Sequence, residues 1–215
     1  MGARLAIVTH STSDAEVPPQ LPRPRAPRIV ALGGSTKPMA ASERALRIAG
    51  AAAAAEGADV RYVTGRDLLI PIYDTESDER SPGAVALVEA LRWADGVLLA
   101  SPGYHGSVSG MVKNALDYAE DLRHEDRPYL EGRAVGIVSV AHGWQTAVGT
   151  MNQLRLIVHA LRGWPTPLAV AINDAAGLIG SDAESSDPAV ARQLHSMAAQ
   201  VVAFARGMGP RTTTA

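Results

Sequence analysis

Residues 96–122 read GVLLASPGYHGSVSGMVKNALDYAEDL, and the rest of the chain is organised around them. Val97 to Ala100 is a short apolar run bounded by Gly96 and by Ser101-Pro102. A run without alternation predicts a strand covered on both faces, as in a parallel sheet. Ser101 to Ser107 is rich in turn formers and predicts a loop. Val108, Met111, Val112, Ala115, Leu116, Ala119 and Leu122 then recur at helical spacing, with Ser107 or Ser109 placed as cap. This order puts the loop at the carboxyl end of a parallel strand, where open α/β sheets bind ligands. Pro102, Gly103 and Gly106 keep its backbone close and stiff. Tyr104 and His105 add an aromatic face and a polar edge, which suits a flat, partly apolar ligand. Composition alone equally allows an ordinary turn carrying an exposed tyrosine.

The same strand, loop and helix order appears upstream. Arg28 to Gly33 predicts a first strand, which runs into Gly34-Ser35-Thr36-Lys37-Pro38-Met39-Ala40-Ala41-Ser42 and a helix over Glu43–Glu56. A Gly/Ser/Thr loop before a helix start makes an anion cradle of backbone N–H groups, hydroxyls and the positive helix end. Neither GxxxxGK[ST] nor a complete GxGxxG is present, so this is not a nucleotide P-loop. Asp59–Val63 alternates as a second strand, and a helix over Ala84–Trp93 follows Pro82. Ala134–Val140 predicts a fourth strand, followed by a loop with His142, Gly143 and Trp144 and by a helix over Thr146–Leu161. Leu168–Ile172 predicts a fifth strand, and Pro188–Gly207 a last helix. Residues 1–27 read as an extended, proline-rich tail, 28–207 as one domain, and 208–215 as a frayed end.

Net charge of −2 gives no basic excess, so neither nucleic acid nor an anionic membrane is an implied partner. The absence of cysteine excludes disulfides, Cys-ligated metal and thiol catalysis. No apolar run approaches a membrane span, and the N-terminal apolar segment is too short for a secretory signal, so a cytoplasmic protein is expected.

The run Ser101-Pro102-x-Tyr104-x-Gly106-Ser107-x-x-Gly110-x-x-Lys113-Asn114-Ala115-Leu116-Asp117-Tyr118 resembles the signature of the NADPH-dependent FMN reductase family. The resemblance extends from about Arg28 to Asn173. It implies a flavodoxin-like three-layer α/β sandwich: a five-stranded parallel sheet of order 2-1-3-4-5 with helices on both faces. The loops after strands one, three and four would then meet at one sheet edge. Carried over by position, Ser35, Thr36, Lys37 and Ser42 would hold the FMN phosphate. Pro102, Gly103, Tyr104, His105 and Gly106 would pack on the ring, and Ser139, His142 and Gly143 would border its pyrimidine edge. The pattern departs at four places, one of them His142 beside the retained Gly143. Lys37 replaces the usual Arg and loses its bidentate fork, Ala40 replaces a common hydroxyl, and His105 replaces the usual Asn.

The resemblance also implies a reaction. A hydride would pass from NADPH or NADH to FMN and on to a small-molecule acceptor such as a flavin or quinone, with His105 and His142 as candidate catalytic proton donors. A homodimer or a tetramer of dimers is implied as well. Two other readings stay open at this point: an FMN enzyme with a dedicated organic substrate, and a flavin carrier without turnover.

Overall fold

A computed structural model describes residues 25–181 and 183–208. Most of the expected tail and of the expected frayed end thus lies outside the described residues. The Arg25 guanidinium grips Asp95 at 2.6 and 2.8 Å, while Arg28 donates its backbone N–H to the same carboxylate.

The apolar runs become strands. β1 (Arg28–Gly33), β2 (Asp59–Thr64), β3 (Gly96–Tyr104) and β5 (Ala134–Ala141) pair in parallel in the order β2-β1-β3-β5. The next position in the sheet is filled by two short pieces, β6 (Trp164–Pro165) and β7 (Val170–Asn173), both parallel to β5. The expected five-strand order therefore holds for the main positions, with two corrections. The fifth position is split, because Pro167 interrupts it and Thr166 turns its hydroxyl onto the Leu168 carbonyl at 2.7 Å. An extra strand, β4 (Ser107–Val108), pairs antiparallel with the end of β3.

That pairing corrects the expected loop over Ser101–Ser107. β3 continues through Tyr104, in register with β5 at Ser101↔Ser139 and Pro102↔Val140. The ladder with β1 ends at Gly33↔Ala100, so β3 has a free edge beyond that point and tolerates a residue without an N–H. Only His105 and Gly106 turn, at φ 50 and 83, the two positive values of a type I′ hairpin.

Helices cover both faces. α1 (Ala41–Ala55) and α5 (Pro188–Gly207) pack on one side, and α2 (Pro82–Trp93), α3 (Gly110–Asp117) and α4 (Trp144–Ala160) on the other. Alternate residues of the central strands serve opposite cores. Ile29, Ala31, Leu98 and Val138 meet Leu46 and Met197, whereas Val30, Leu32, Leu99 and Ile137 meet Leu87, Leu91, Leu116 and Leu154. Continuous apolar strands are what a sheet buried on both faces requires. Among the described residues no helix is long and apolar enough to cross a membrane.

Candidate functional site

The carboxyl ends of β1, β3, β5 and β7 all open on one cleft of about 430 Å³, within the usual range for a small-molecule site. Ser35, Lys37, Ala40, Ala41, Ser42 and Arg44 come from the β1–α1 connection and the first turn of α1. Pro102, Gly103 and Tyr104 come from β3, Val140, Ala141 and His142 from β5, and Asp174 from the turn after β7. Three of these four edges match the sequence expectation; the one after β7 was not anticipated.

The β1 exit depends on glycine. A Cβ on Gly33 would sit 1.9 Å from the Ala100 carbonyl oxygen, and its φ of 139 is itself unfavourable for a side chain. Gly34 donates to that oxygen at 3.3 Å, which turns the chain toward α1. Ser35 is buried and its hydroxyl accepts the Lys37 N–H at 3.2 Å. Ala40 stands at the N-cap of α1 and offers no side-chain acceptor, so the first-turn N–H groups keep their donor capacity. Glu43, three residues in, turns away from the cleft: it accepts from the Met39 N–H, the Arg47 guanidinium and the Thr64 hydroxyl. Ser42 is 2% exposed, and its hydroxyl has no hydrogen-bond partner among the described residues. A buried orphan hydroxyl is costly and marks a place where a polar ligand group belongs.

The β3 end is braced from behind. Ser101 accepts the Ser109 N–H at 3.1 Å and Ser109 caps α3 through the Val112 N–H at 3.2 Å, fixing the return of the hairpin. Gln153 on α4 clamps the turn, accepting from the Ser107 hydroxyl at 2.6 Å and donating to the Gly106 carbonyl at 3.0 Å. Gly103 has no room for a side chain: an added Cβ would lie 2.6 Å from Thr146 Cγ2 and 2.9 Å from Thr150 Oγ1. Tyr104 is left 52% exposed at the cleft mouth. The β5 end delivers His142, exposed and facing the cleft, and Gly143, at φ 156, caps α4 without a side-chain acceptor.

The structure therefore brings Ser35, Lys37, Ser42, Pro102, Gly103, Tyr104 and His142 together in one cleft. Thr36 is exposed on the loop and does not line it, nor does Gly143. His105 and Gly106 form the hairpin apex, outside the lining. Ser139 is fully buried and donates to the Ala147 carbonyl at 2.5 Å, tying β5 to α4. Of the signature residues further along, Asn114 and Tyr118 serve the scaffold. Asn114 donates to the Pro71 carbonyl and accepts the Tyr73 N–H, and Tyr118 donates to the same carbonyl. Arg44 and Asp174 were missed. A helix-face Arg and a loop Asp carry no distinguishing pattern, although a cation in a first turn, against the helix dipole, is an anomaly that can be read from sequence.

Comparison with known proteins agrees with this geometry. The model of the family described as NADPH-dependent FMN reductase matches residues 27–177. The chain belongs to that family. It is similar to an NADPH azoreductase of Bacillus sp. (strain OY1-2), 29% identical over 121 residues, which is 56% of this chain and 63% of that protein. An FMN-dependent NADPH-azoreductase of Staphylococcus aureus is 34% identical over 97 residues, 45% of this chain and 48% of that one. The matched region thus spans less than two thirds of the length of either relative. Among solved structures, FerB, a flavoenzyme NAD(P)H:(acceptor) oxidoreductase from Paracoccus denitrificans, has a TM-score of 0.69 at 16% identity, covering 86% of this chain and 100% of that one. The apo form of an NADH:FMN oxidoreductase, EMOB, has a TM-score of 0.60 at 19% identity, covering 88% and 93%. At such identities the two structures establish the shared flavodoxin-like fold of this FMN reductase family member.

Proposed function

We propose that this chain is an FMN-dependent NAD(P)H oxidoreductase whose cofactor lies in the cleft at the carboxyl edge of the sheet. The observation that carries the reading is the orphaned Ser42 hydroxyl beside the uncapped start of α1. Ser35, Ser42, Lys37 and the α1 N–H groups would hold the phosphate. Pro102, Gly103 and Tyr104 would form the apolar wall for the ring, and His142 would stand at its polar edge. The two-electron chemistry, from a nicotinamide to a small-molecule acceptor, is the flavin's own.

The protein's part is position and electrostatics. The Gln153 clamp and the Ser101–Ser109 bridge keep the Tyr104 wall from moving. His142 is the side chain placed to give a proton at the ring's polar edge or to the acceptor. His105 lies at the hairpin apex, outside the cleft lining, which favours His142 for the proton role.

The acceptor class is proposed as flavins, quinones or azo compounds, the last supported by the names of the curated relatives. A homodimer, or a tetramer of dimers, is proposed from the family resemblance. The exposed Trp144, Val148 and Leu156 along α4 support it, and light scattering of the purified chain tests it. A cytoplasmic location and a cofactor-binding unit over 28–207 remain part of the same proposal.

The test is the absorbance spectrum of the purified protein before and after anaerobic NADPH. A flavin spectrum bleached by NADPH and restored by an acceptor supports the reading. A flavin spectrum that NADPH leaves unchanged would instead support a carrier. No flavin spectrum after reconstitution with FMN would remove the cofactor.

A further inference from the structure

The phosphate loop lacks the arginine fork that its family pattern has, since Lys37 carries charge without a planar donor set. We infer that Arg44, a turn into α1, supplies that fork and makes the cleft select a phosphorylated flavin over the same flavin without phosphate. The inference rests on the FMN reading above and adds a binding residue to it.

Arg44 lines the cleft together with Ser35, Lys37 and Ser42. Its two terminal nitrogens are held from either side: Nη1 donates to the Met39 carbonyl at 2.6 Å and Nη2 to the Ile179 carbonyl at 2.7 Å. Nε is buried and has no partner among the described residues. A guanidinium has five N–H donors, so two bonds leave capacity for a bidentate acceptor. The two carbonyls also lock the side chain before any ligand arrives, so little rotamer freedom is lost on binding.

The charge is unbalanced as well. Neither Arg44 nor Lys37 has a carboxylate within ion-pair distance among the described residues. Glu43, the neighbour, spends its oxygens on Arg47, Thr64 and the Met39 N–H. Asp174 borders the same cleft but stands beyond ion-pair distance from Arg44, and its Oδ1 accepts the Ile179 N–H. A cation at the front of α1 also opposes the helix dipole. Two cations without an ion pair among the described residues, at the positive end of a helix, match one phosphate monoester, whose charge is close to −2 at neutral pH. The independent mark is Ser42, 2% exposed with an unpartnered hydroxyl on the same wall. Ser42 and Arg44, each with an unpartnered polar atom among the described residues, both line the cleft that the phosphate would enter.

A purely structural role, tying the segment around Ile179 to the α1 loop, is the competing account, and flavin affinities separate the two. The apoprotein is titrated with FMN and with riboflavin, following flavin fluorescence, for the parent, Arg44→Met and Arg44→Lys. Loss of a charge-assisted bidentate contact predicts FMN affinity about 10- to 100-fold weaker in Arg44→Met, with riboflavin affinity unchanged. Arg44→Lys keeps the charge, is expected to fold as the parent does, and should fall between the two. FMN and riboflavin weakened equally would make Arg44 a structural staple and overturn the inference. FMN affinity unchanged in both variants would overturn it also. A parent that prefers FMN while Arg44→Met keeps the full preference refutes only the role of Arg44. A parent that binds neither flavin refutes the cofactor reading itself.

Discussion

Gly103→Ala probes the wall on which the flavin ring is proposed to rest. The added methyl would lie 2.6 Å from Thr146 Cγ2, 2.9 Å from Thr150 Oγ1 and 3.1 Å from Ala141 Cβ. Ordinary carbon–carbon contact is near 3.5–4.0 Å, so a displacement of about 1 Å is forced on either α4 or the β3 end. Neither yields easily. Thr150 is fully buried in α4, and β3 is still paired with β5 at Pro102↔Val140. Overpacking of this kind costs about 1–3 kcal/mol. For a chain of this size that is a fall of roughly 2–12 °C in melting temperature, at ~2–4 °C per kcal/mol. Relief by the β3 end carries Tyr104 with it, so FMN and riboflavin affinities should fall together, unlike the phosphate-side pattern predicted for Arg44. The double variant Gly103→Ala/Thr146→Ser removes the nearest methyl and should recover part of both losses. Calorimetry and flavin titration read these quantities. A Gly103→Ala protein with parental melting temperature and affinity, or a double variant with no recovery, would refute the packing argument.

Other expectations follow from the same contacts. His105 holds φ 50 in a turn whose usual residue in the family is Asn, so His105→Asn should stabilise by roughly 0.5–1 kcal/mol without lowering turnover, as denaturant titration and steady-state rates would show. Arg133 is 2% exposed and donates to the Ala94, Tyr129, Glu131 and Arg92 carbonyls; burial pulls its pKa down to about 10, which leaves it a cation at neutral pH. Arg133→Met strands those carbonyls and should cost about 2–4 kcal/mol in denaturant titration, while the FMN-to-riboflavin affinity ratio stays parental. The Arg80 guanidinium, with help from the Tyr73 hydroxyl, holds the Asp121 carboxyl below its ordinary value of 3.8. Its folded value lies below its unfolded one, so its contribution is present above pH ~4 and is lost as pH falls through the folded value. Acid titration of Asp121→Asn should therefore show a shallower loss of stability over that range than the parent.

The fold was legible wherever burial wrote an unbroken apolar run, as at Val97–Ala100 and Ala134–Val140. It was less legible where tertiary pairing overrode local composition. Ser101-Pro102-Gly103-Tyr104 reads as a loop, because proline and glycine punctuate chains, yet pairing with β5 at Ser101 and Pro102 and with β4 at Gly103 and Tyr104 holds it extended. The fifth strand was visible, but its division at Pro167 follows from a side-chain bond made by Thr166. At the site, hydroxyls and glycines after strands stood out because their chemistry is unusual there. Arg44 did not, because a cation on a helix normally faces water. Its meaning depends on two carbonyls, one of them far along the chain at Ile179, and on having no carboxylate within ion-pair distance among the described residues. Ser139 misled in the opposite sense: its place at a strand end suggested a ligand contact, while its hydroxyl is committed to α4.

The most direct measurement is a crystal structure of the chain with FMN. The account predicts the phosphate within hydrogen-bond distance of Ser35, Ser42 and Arg44 at the start of α1, with the ring between Tyr104 and His142. FMN lying elsewhere on the molecule, or entering the cleft with its phosphate toward His142, would contradict it.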